Sequence, residues 1–323
     1  MKIKKLHMRP SQVRKKGVIE FSFTWLFAII VGAFILFLAI FFAVKLIDQG
    51  KTQTDIELGL EIGILTNPLE MGFESASSNN SFSVPSETKL FSVCGLDGYF
   101  GTQQLKVSQK SFGKWSETEL ASSFKNKYFF ASNNASGKKF YLFSKPFEFP
   151  FKIADLIYIS SEKEIYCFEK ADDNIKEEVN SLRQTNLLAS NCSGKNFIDV
   201  CENCEIKINS VQSYVEKNGE RMYFVNDALM FAAIFSEKEL YDCQVSRLMK
   251  RLQLLASIYE DKASITSSKE CKAESVSGGE GANLINLINS AKLTEKNPIK
   301  IVLMKGEVEE IKEKNSLANC KLW

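Results

Sequence analysis

The longest apolar run comes first. From Phe21 to Val44 the chain carries 24 consecutive residues without a charge, FSFTWLFAIIVGAFILFLAIFFAV. As a helix rising roughly 1.5 Å per residue this run reaches about 36 Å, enough to cross the hydrocarbon core of a bilayer with a little tilt. It is too long for the apolar region of a cleaved secretory signal, and no small-x-small cleavage site follows it. The next stretch, KLIDQGKTQTDIELGLEIGILT (45–66), holds two periods at once. Ile56, Leu60 and Ile64 recur every four residues as on a helix face, while Ile56, Leu58, Leu60, Ile62 and Ile64 alternate with Glu and Gly as in a strand. Extending an existing helix needs no new nucleus, so the expectation is a helical stalk that stops before Pro68. The Ser/Asn-rich ESASSNNSFSVPSET (74–88) reads as a linker.

From Lys89 to Val225 the pattern is mostly that of strands, with Phe and Tyr crowding runs such as KKFYLFSKPFEFPF and ADLIYISSEKEIYCFEK. The second run predicts a hairpin around Ser161–Lys163. A clearer one is YVEKNGERMYFV (214–225), where Asn218-Gly219 supplies the positive φ of a two-residue type I′ turn. Two helices interrupt: one opening at the capping box Ser116-x-x-Glu119, the other after Asp173 with Ile175, Val179 and Leu182 on one face. Past Asn226 the chain turns helical. NDALMFAAIF is followed by a long helix from the capping box Ser236-x-x-Glu239, with the apolar stripe Leu240, Val245, Leu248, Leu252, Leu255 and Tyr259, and Arg247, Lys250 and Arg251 assigned to other faces. The Gly-rich SVSGGEGAN (275–283) predicts a loop, Leu284–Ala291 a short helix, PIKIVLM a strand, and Glu307 onward a terminal helix. The fold class is therefore α+β: a single N-terminal transmembrane helix with a helical stalk, then an exterior mixed domain of antiparallel strands and packed helices. The segments are 1–20, a basic cytoplasmic tail; 21–44, the membrane helix; 45–84, stalk and linker; and 85–323, the exterior domain.

Charge sets the direction of the anchor. The 323 residues carry 41 Lys and Arg against 39 Asp and Glu, yet seven of the basic residues and a single acid, Glu20, fall in the first 20 positions. Basic residues before the span and a mixed flank after it place the N-terminus in the cytoplasm. The remainder is mildly acidic, which does not suit a nucleic-acid-binding domain. All eight cysteines, Cys94, Cys167, Cys192, Cys201, Cys204, Cys243, Cys271 and Cys320, follow the span. An oxidising exterior with up to four disulfides is the simplest account, and 105 pairings remain open.

Arg14-Lys15-Lys16-Gly17-Val18-Ile19-Glu20-Phe21, running straight into the apolar span, resembles the class III signal peptide of type IV pilin-like proteins, archaeal ones in particular. The resemblance implies cleavage on the cytoplasmic side between Gly17 and Val18, with Lys16 before the cut and the apolar segment kept as the assembly helix. It also implies that Glu20 is the buried carboxylate that pairs with a neighbouring subunit's terminal amine. In that family the glutamate usually stands fifth after the cut, whereas Glu20 is third. The resemblance covers about 30 residues.

Candidate chemistry is sparse. The one histidine, His7, lies in the cytoplasmic tail, so His-dependent triads and His-ligated zinc are excluded from the exterior domain. Cys201-Glu-Asn-Cys204 is a CxxC that reads as a structural bridge before it reads as a thiol–disulfide centre or half of a zinc site. Asp172-Asp173 and Glu177-Glu178 lack the ligand spacing of a calcium loop and suit a helix N-terminus. Glu307, Glu309, Glu310 and Glu313, interleaved with lysines, read as a solvated helix face. The aromatics and lysines of FSKPFEFPFK suit strand packing better than a ligand platform. No catalytic, cofactor or metal residue is assigned. The expectation is a non-enzymatic, membrane-anchored surface protein, either a pilin-like subunit or a component of an envelope complex, that acts through protein or surface contacts, with the bilayer and other proteins or copies of itself as partners. The alternative is a membrane-tethered, carboxylate-dependent hydrolase acting outside the cell.

Overall fold

The structure is a computed structural model and describes residues 23–65, 80–111, 113–115, 121–133, 135–193, 196–266, 274–278 and 280–323. The chain divides into two compact units, Met1–Gly50 and Lys51–Trp323. Helix α1 runs Phe23–Leu65, so the helical period of residues 45–66 prevails over the alternating one. Within it, Thr24–Leu46 has a mean hydropathy of 3.0 with none of its residues buried, and among the described residues it is the one helix long and apolar enough to cross a membrane. By length and composition a signal sequence passes the same test.

The rest of the described chain is mixed α+β. The first sheet has the order β3-β2-β1-β6-β7-β5, with β4 also paired to β2. Its strands are β1 (Asn80–Gly95), β2 (Thr102–Ser111), β3 (Lys114–Trp115), β4 (Ala121–Phe124), β5 (Tyr128–Ala131), β6 (Ser136–Glu148) and β7 (Lys152–Ser161). It curls back on itself: the Gln103 side chain on β2 donates to the Phe129 carbonyl at 2.8 Å and accepts from the Phe129 N–H at 2.7 Å, acting as a surrogate strand partner for β5. Strand periodicity then splits the apolar residues between two cores. Phe129, Ala131, Phe140, Leu142, Ile157 and Ile159 fill the concave side, and Tyr128, Phe130, Phe143, Leu156 and Tyr158 the other. Burial on both faces explains the near-continuous apolar runs of β5–β7.

The second sheet, β13-β12-β11-β10-β8-β9, is built from β8 (Tyr166–Cys167), β9 (Leu187–Leu188), β10 (Ile198–Cys201), β11 (Ile206–Asn209), β12 (Tyr214–Lys217) and β13 (Glu220–Tyr223). β12 and β13 form the expected hairpin, with Asn218 and Gly219 at φ 54° and 80°. Four pairings are parallel, β5–β7, β8–β9, β8–β10 and β10–β11, which corrects the expectation of antiparallel strands.

Helix α2 (Asp173–Leu182) buries Ile175, Val179 and Leu182 as its spacing requires. Helix α3 (Asp227–Phe235) is apolar all round and buried from Ala228 to Phe235, capped by the Asn226 side chain on the Leu229 N–H at 3.1 Å. Burying Phe231 and Phe235 stabilises by roughly 2–3 kcal/mol each. Helix α4 (Lys238–Thr266) follows, then α5 (Glu274–Ser277), α6 (Leu284–Lys296), a 3₁₀ helix (Pro298–Met304) and α7 (Lys305–Leu317).

Four local expectations are corrected. Residues 80–88 belong to β1 rather than to a linker, because Phe82 and Val84 alternate into the concave core and Phe82 stacks on Phe140. The turn after Ser161 is not a hairpin: the Glu164 carboxylate accepts from the Ser161 N–H at 3.0 Å, and the Tyr166 N–H donates to the Asn186 carbonyl, sending the chain into the second sheet. PIKIVLM is a 3₁₀ helix, opened by Pro298, that buries Ile301 and Met304 three residues apart. The Ser236 hydroxyl donates back to the Ala232 carbonyl at 2.6 Å and so closes α3. The helix expected at Ser116-x-x-Glu119 lies outside the described residues.

Candidate functional site

Strands β1 and β2 pair to their ends at Gly95 and Thr102, leaving the six-residue turn Leu96-Asp-Gly-Tyr-Phe-Gly101. Gly98 and Gly101 carry positive φ, 78° and 62°. At Gly101 no side chain fits, since a Cβ would stand 2.5 Å from the Gly95 carbonyl oxygen and 2.9 Å from Arg247 Cγ. The turn exposes apolar groups: Tyr99 is 82% exposed, Leu96 43% and Phe100 38%, and Phe91 and Val93 continue the patch along the outward face of β1.

One face of α4 holds this turn. Cys243, Arg247 and Lys250 stand at i, i+4 and i+7, successive positions on one side of a helix. Cys243 bonds Cys94, two residues before the turn on β1. Lys250 Nζ donates to the Leu96 carbonyl and, at 3.5 Å, to that of Gly98. Arg247 Nε donates to the Phe100 carbonyl at 3.0 Å.

Arg247 is fully buried, contrary to its expected place on a face away from the apolar stripe. A buried cation is costly unless oxygens replace its water. Here Nη1 donates to the Lys127 carbonyl at 3.1 Å and to Gln244 Oε1 at 2.7 Å, Nη2 donates to the Lys125 carbonyl at 2.9 Å, and the guanidinium lies 4.6 Å from the centre of the Tyr128 ring. Burial, opposed by Tyr128 and reinforced by Arg251, lowers its pKa below the usual guanidinium range. The guanidinium nonetheless stays charged in proteins. One side chain thus joins α4, the β1–β2 turn and the segment entering β5.

The other candidate residues fall elsewhere. Lys16, Gly17, Val18 and Glu20 lie outside the described residues, as does Cys271. Cys167 bonds Cys192, Cys201 bonds Cys204, and Cys320 is disulfide-bonded as well. Cys167, Glu169 and Cys192 bring donor atoms within 4.8 Å of one another, but the two sulfurs are joined in a disulfide and are not thiolate ligands. Asp172 occupies the N-cap position of α2, Asp173 pairs with Lys176 at 2.7 Å, and Glu178 pairs with Lys145. Glu310 does more than face water: it accepts from the Ala282 N–H at 3.0 Å and pairs with Lys314 at 3.0 Å, fastening the end of the Gly-rich loop. Phe147, Phe149 and Phe151 are buried, which settles FSKPFEFPFK as core packing.

Reasoning from the sequence missed the turn and its clamp. The 243/247/250 spacing is visible along the chain, but its partners lie about 120–150 residues upstream. Set against protein-family models, curated proteins and solved structures, the chain matches none of them.

Proposed function

We propose that this is a non-enzymatic, membrane-anchored surface protein that works by contact, with Thr24–Leu46 as its span and the Leu96–Phe100 turn as its contact surface. The observation that carries the reading is the clamp: a disulfide, a buried arginine and a lysine all hold an apolar turn that remains exposed. Rigid, exposed aromatic anchors are the kind of group that dominates binding energy at interfaces, and holding them in place beforehand removes part of the ordering cost. The length and hydropathy of Thr24–Leu46 support the anchor, and the basic N-terminal tail supports a cytoplasmic N-terminus.

Two experiments test the halves separately. The anchor predicts that the chain stays in the membrane pellet after alkaline carbonate extraction; release into the supernatant rejects it. For the contact surface, a photo-crosslinking residue at Tyr99 in native membranes should give discrete adducts, while the same group at the equally open Val211 should not. Equal labelling at both positions, or none at Tyr99, rejects the tip as the contact surface. The pilin-like form of the proposal rests on residues 14–21 and on the long α1. It predicts a mature chain starting at Val18 by N-terminal mass analysis; a chain that keeps Lys16 and Gly17 rejects that form.

A further inference from the structure

The loop that joins β9 to β10 carries Asn191-Cys192-Ser193, an Asn-x-Ser triplet whose middle residue is not proline. Its three side chains divide by burial. Cys192 turns inward and bonds Cys167 on β8, while Asn191 and Ser193 are both exposed. The disulfide therefore holds the amide and the hydroxyl on the solvent side of one short loop. Asn191 has φ 58°, a left-handed conformation that asparagine tolerates better than most residues.

Neither polar group is spent on the fold. Among the described residues, the Asn191 carboxamide and the Ser193 hydroxyl make no hydrogen bond. Other asparagines are used differently: Asn186 donates to Ser160 Oγ at 2.8 Å, Asn209 accepts from the Gln212 N–H at 2.7 Å, Asn226 and Asn283 cap helices, and Asn315 accepts from the Leu322 N–H at 2.7 Å. A bulky group on any of those side chains would disturb a native bond, whereas on Asn191 it would disturb none. The like triplets Asn79-x-Ser81 and Asn134-x-Ser136 have their asparagines outside the described residues.

We propose that Asn191 is an N-glycosylation acceptor, an inference that rests on the reading that this part of the chain lies outside the membrane. The donor is an oligosaccharide carried on a lipid phosphate. Asn191 Nδ2 attacks the anomeric carbon of the sugar, the bond from that carbon to the phosphate oxygen breaks, the carrier phosphate leaves with the electron pair, and one amide proton is released. The Ser193 hydroxyl is the second half of the acceptor motif. A bulky, hydrated group at this position bars other proteins from the β9–β10 loop, in keeping with a contact surface at the Leu96–Phe100 turn.

The test uses the full chain purified from its native membrane. Digestion and electron-transfer fragmentation should place a carbohydrate mass shift on Asn191. Asn191→Gln and Ser193→Ala should each lose that shift, whereas Ser193→Thr should keep it. The loss in Ser193→Ala, where the acceptor amide is untouched, separates enzymatic transfer at the triplet from a chemical adduct of asparagine. A parallel arm treats intact cells with a membrane-impermeant amine reagent and follows Lys170, whose side chain is 69% exposed. Labelled Lys170 with an unmodified Asn191 overturns the glycan and leaves the exterior reading standing, as does sugar confined to Asn79 or Asn134. Unlabelled Lys170 with an unmodified Asn191 overturns both.

Discussion

Replacing Cys94 and Cys243 together by serine tests whether the clamp on the hairpin turn is also the principal cross-link of the Lys51–Trp323 unit. The bond spans 149 residues, and on the chain-entropy account a loop of about 150 residues stabilises by roughly 5 kcal/mol at 25 °C. Cys167–Cys192 and Cys201–Cys204 lie inside that loop and shorten it to about 120 residues, which changes the logarithm by only about 0.2 kcal/mol. Residual structure in the unfolded chain takes back more, so the expected loss is about 3–5 kcal/mol. The assay is urea unfolding of the full chain in detergent, followed by the fluorescence of Trp323, which packs on Phe151 and Tyr259, with Trp25 and Trp115 replaced by Phe in both chains. The denatured state expands once the tie is gone, so the slope against urea should rise as the midpoint falls. Hydrogen exchange should speed up at residues 96–101 before it does at β6 and β7, because Arg247 and Lys250 alone then hold the turn. A loss below about 1 kcal/mol with an unchanged slope would refute the reasoning, since it would mean that the bond constrains neither the unfolded chain nor the turn.

Two further outcomes follow from buried charge. Arg247→Met strips the Phe100, Lys125 and Lys127 carbonyls and Gln244 Oε1 of their donor, and at roughly 1 kcal/mol for each orphaned acceptor the loss should be about 3–5 kcal/mol by urea unfolding; a loss under about 1 kcal/mol contradicts the clamp. Burial, opposed by the Lys152 ion pair, raises the Asp155 carboxyl above its ordinary 3.8. The folded chain therefore keeps that proton to higher pH than the unfolded chain does, and stability from this group falls as pH rises between the two values. Asp155→Asn cannot ionise, so its urea midpoint should lack that fall, and parallel pH profiles for the two chains would reject the assignment.

What could be read from the sequence was local. Asn218-Gly219 announces its turn because the required φ belongs to the two residues themselves, and α2 announces its buried face because Ile175, Val179 and Leu182 repeat within three turns of one helix. The errors share a cause, which is a distant partner that decides between two locally equal options. Residues 80–88 are polar enough for a linker and become a strand because β6 lies alongside them. PIKIVLM has strand composition, yet Ile301 and Met304 meet the core at a spacing of three. Arg247 reads as surface because no local rule anticipates a socket made by three carbonyls from residues 100, 125 and 127.

That socket bears directly on the contact hypothesis. An exposed turn free to move would lose conformational entropy on docking, about 0.5–1.5 kcal/mol for each side chain immobilised. The clamp grips the carbonyls of Leu96, Gly98 and Phe100, so what it fixes beforehand is the backbone of the turn, and each residue so held saves about 1–2 kcal/mol of ordering cost on docking. The same clamp predicts where the penalty of loosening should appear. In Arg247→Met the side chains of the tip are intact but the backbone that carries them is loosened at Phe100, so the crosslinking yield at Tyr99 should fall even though no contacting atom has been removed. In Tyr99→Ser the clamp is intact and only the contact is lost, so the yield from a crosslinker moved to Phe100 should fall without any change in the urea midpoint. Stability and contact are thus separable at this site, and a variant set in which they always move together would mean that the turn is held for the sake of the fold alone.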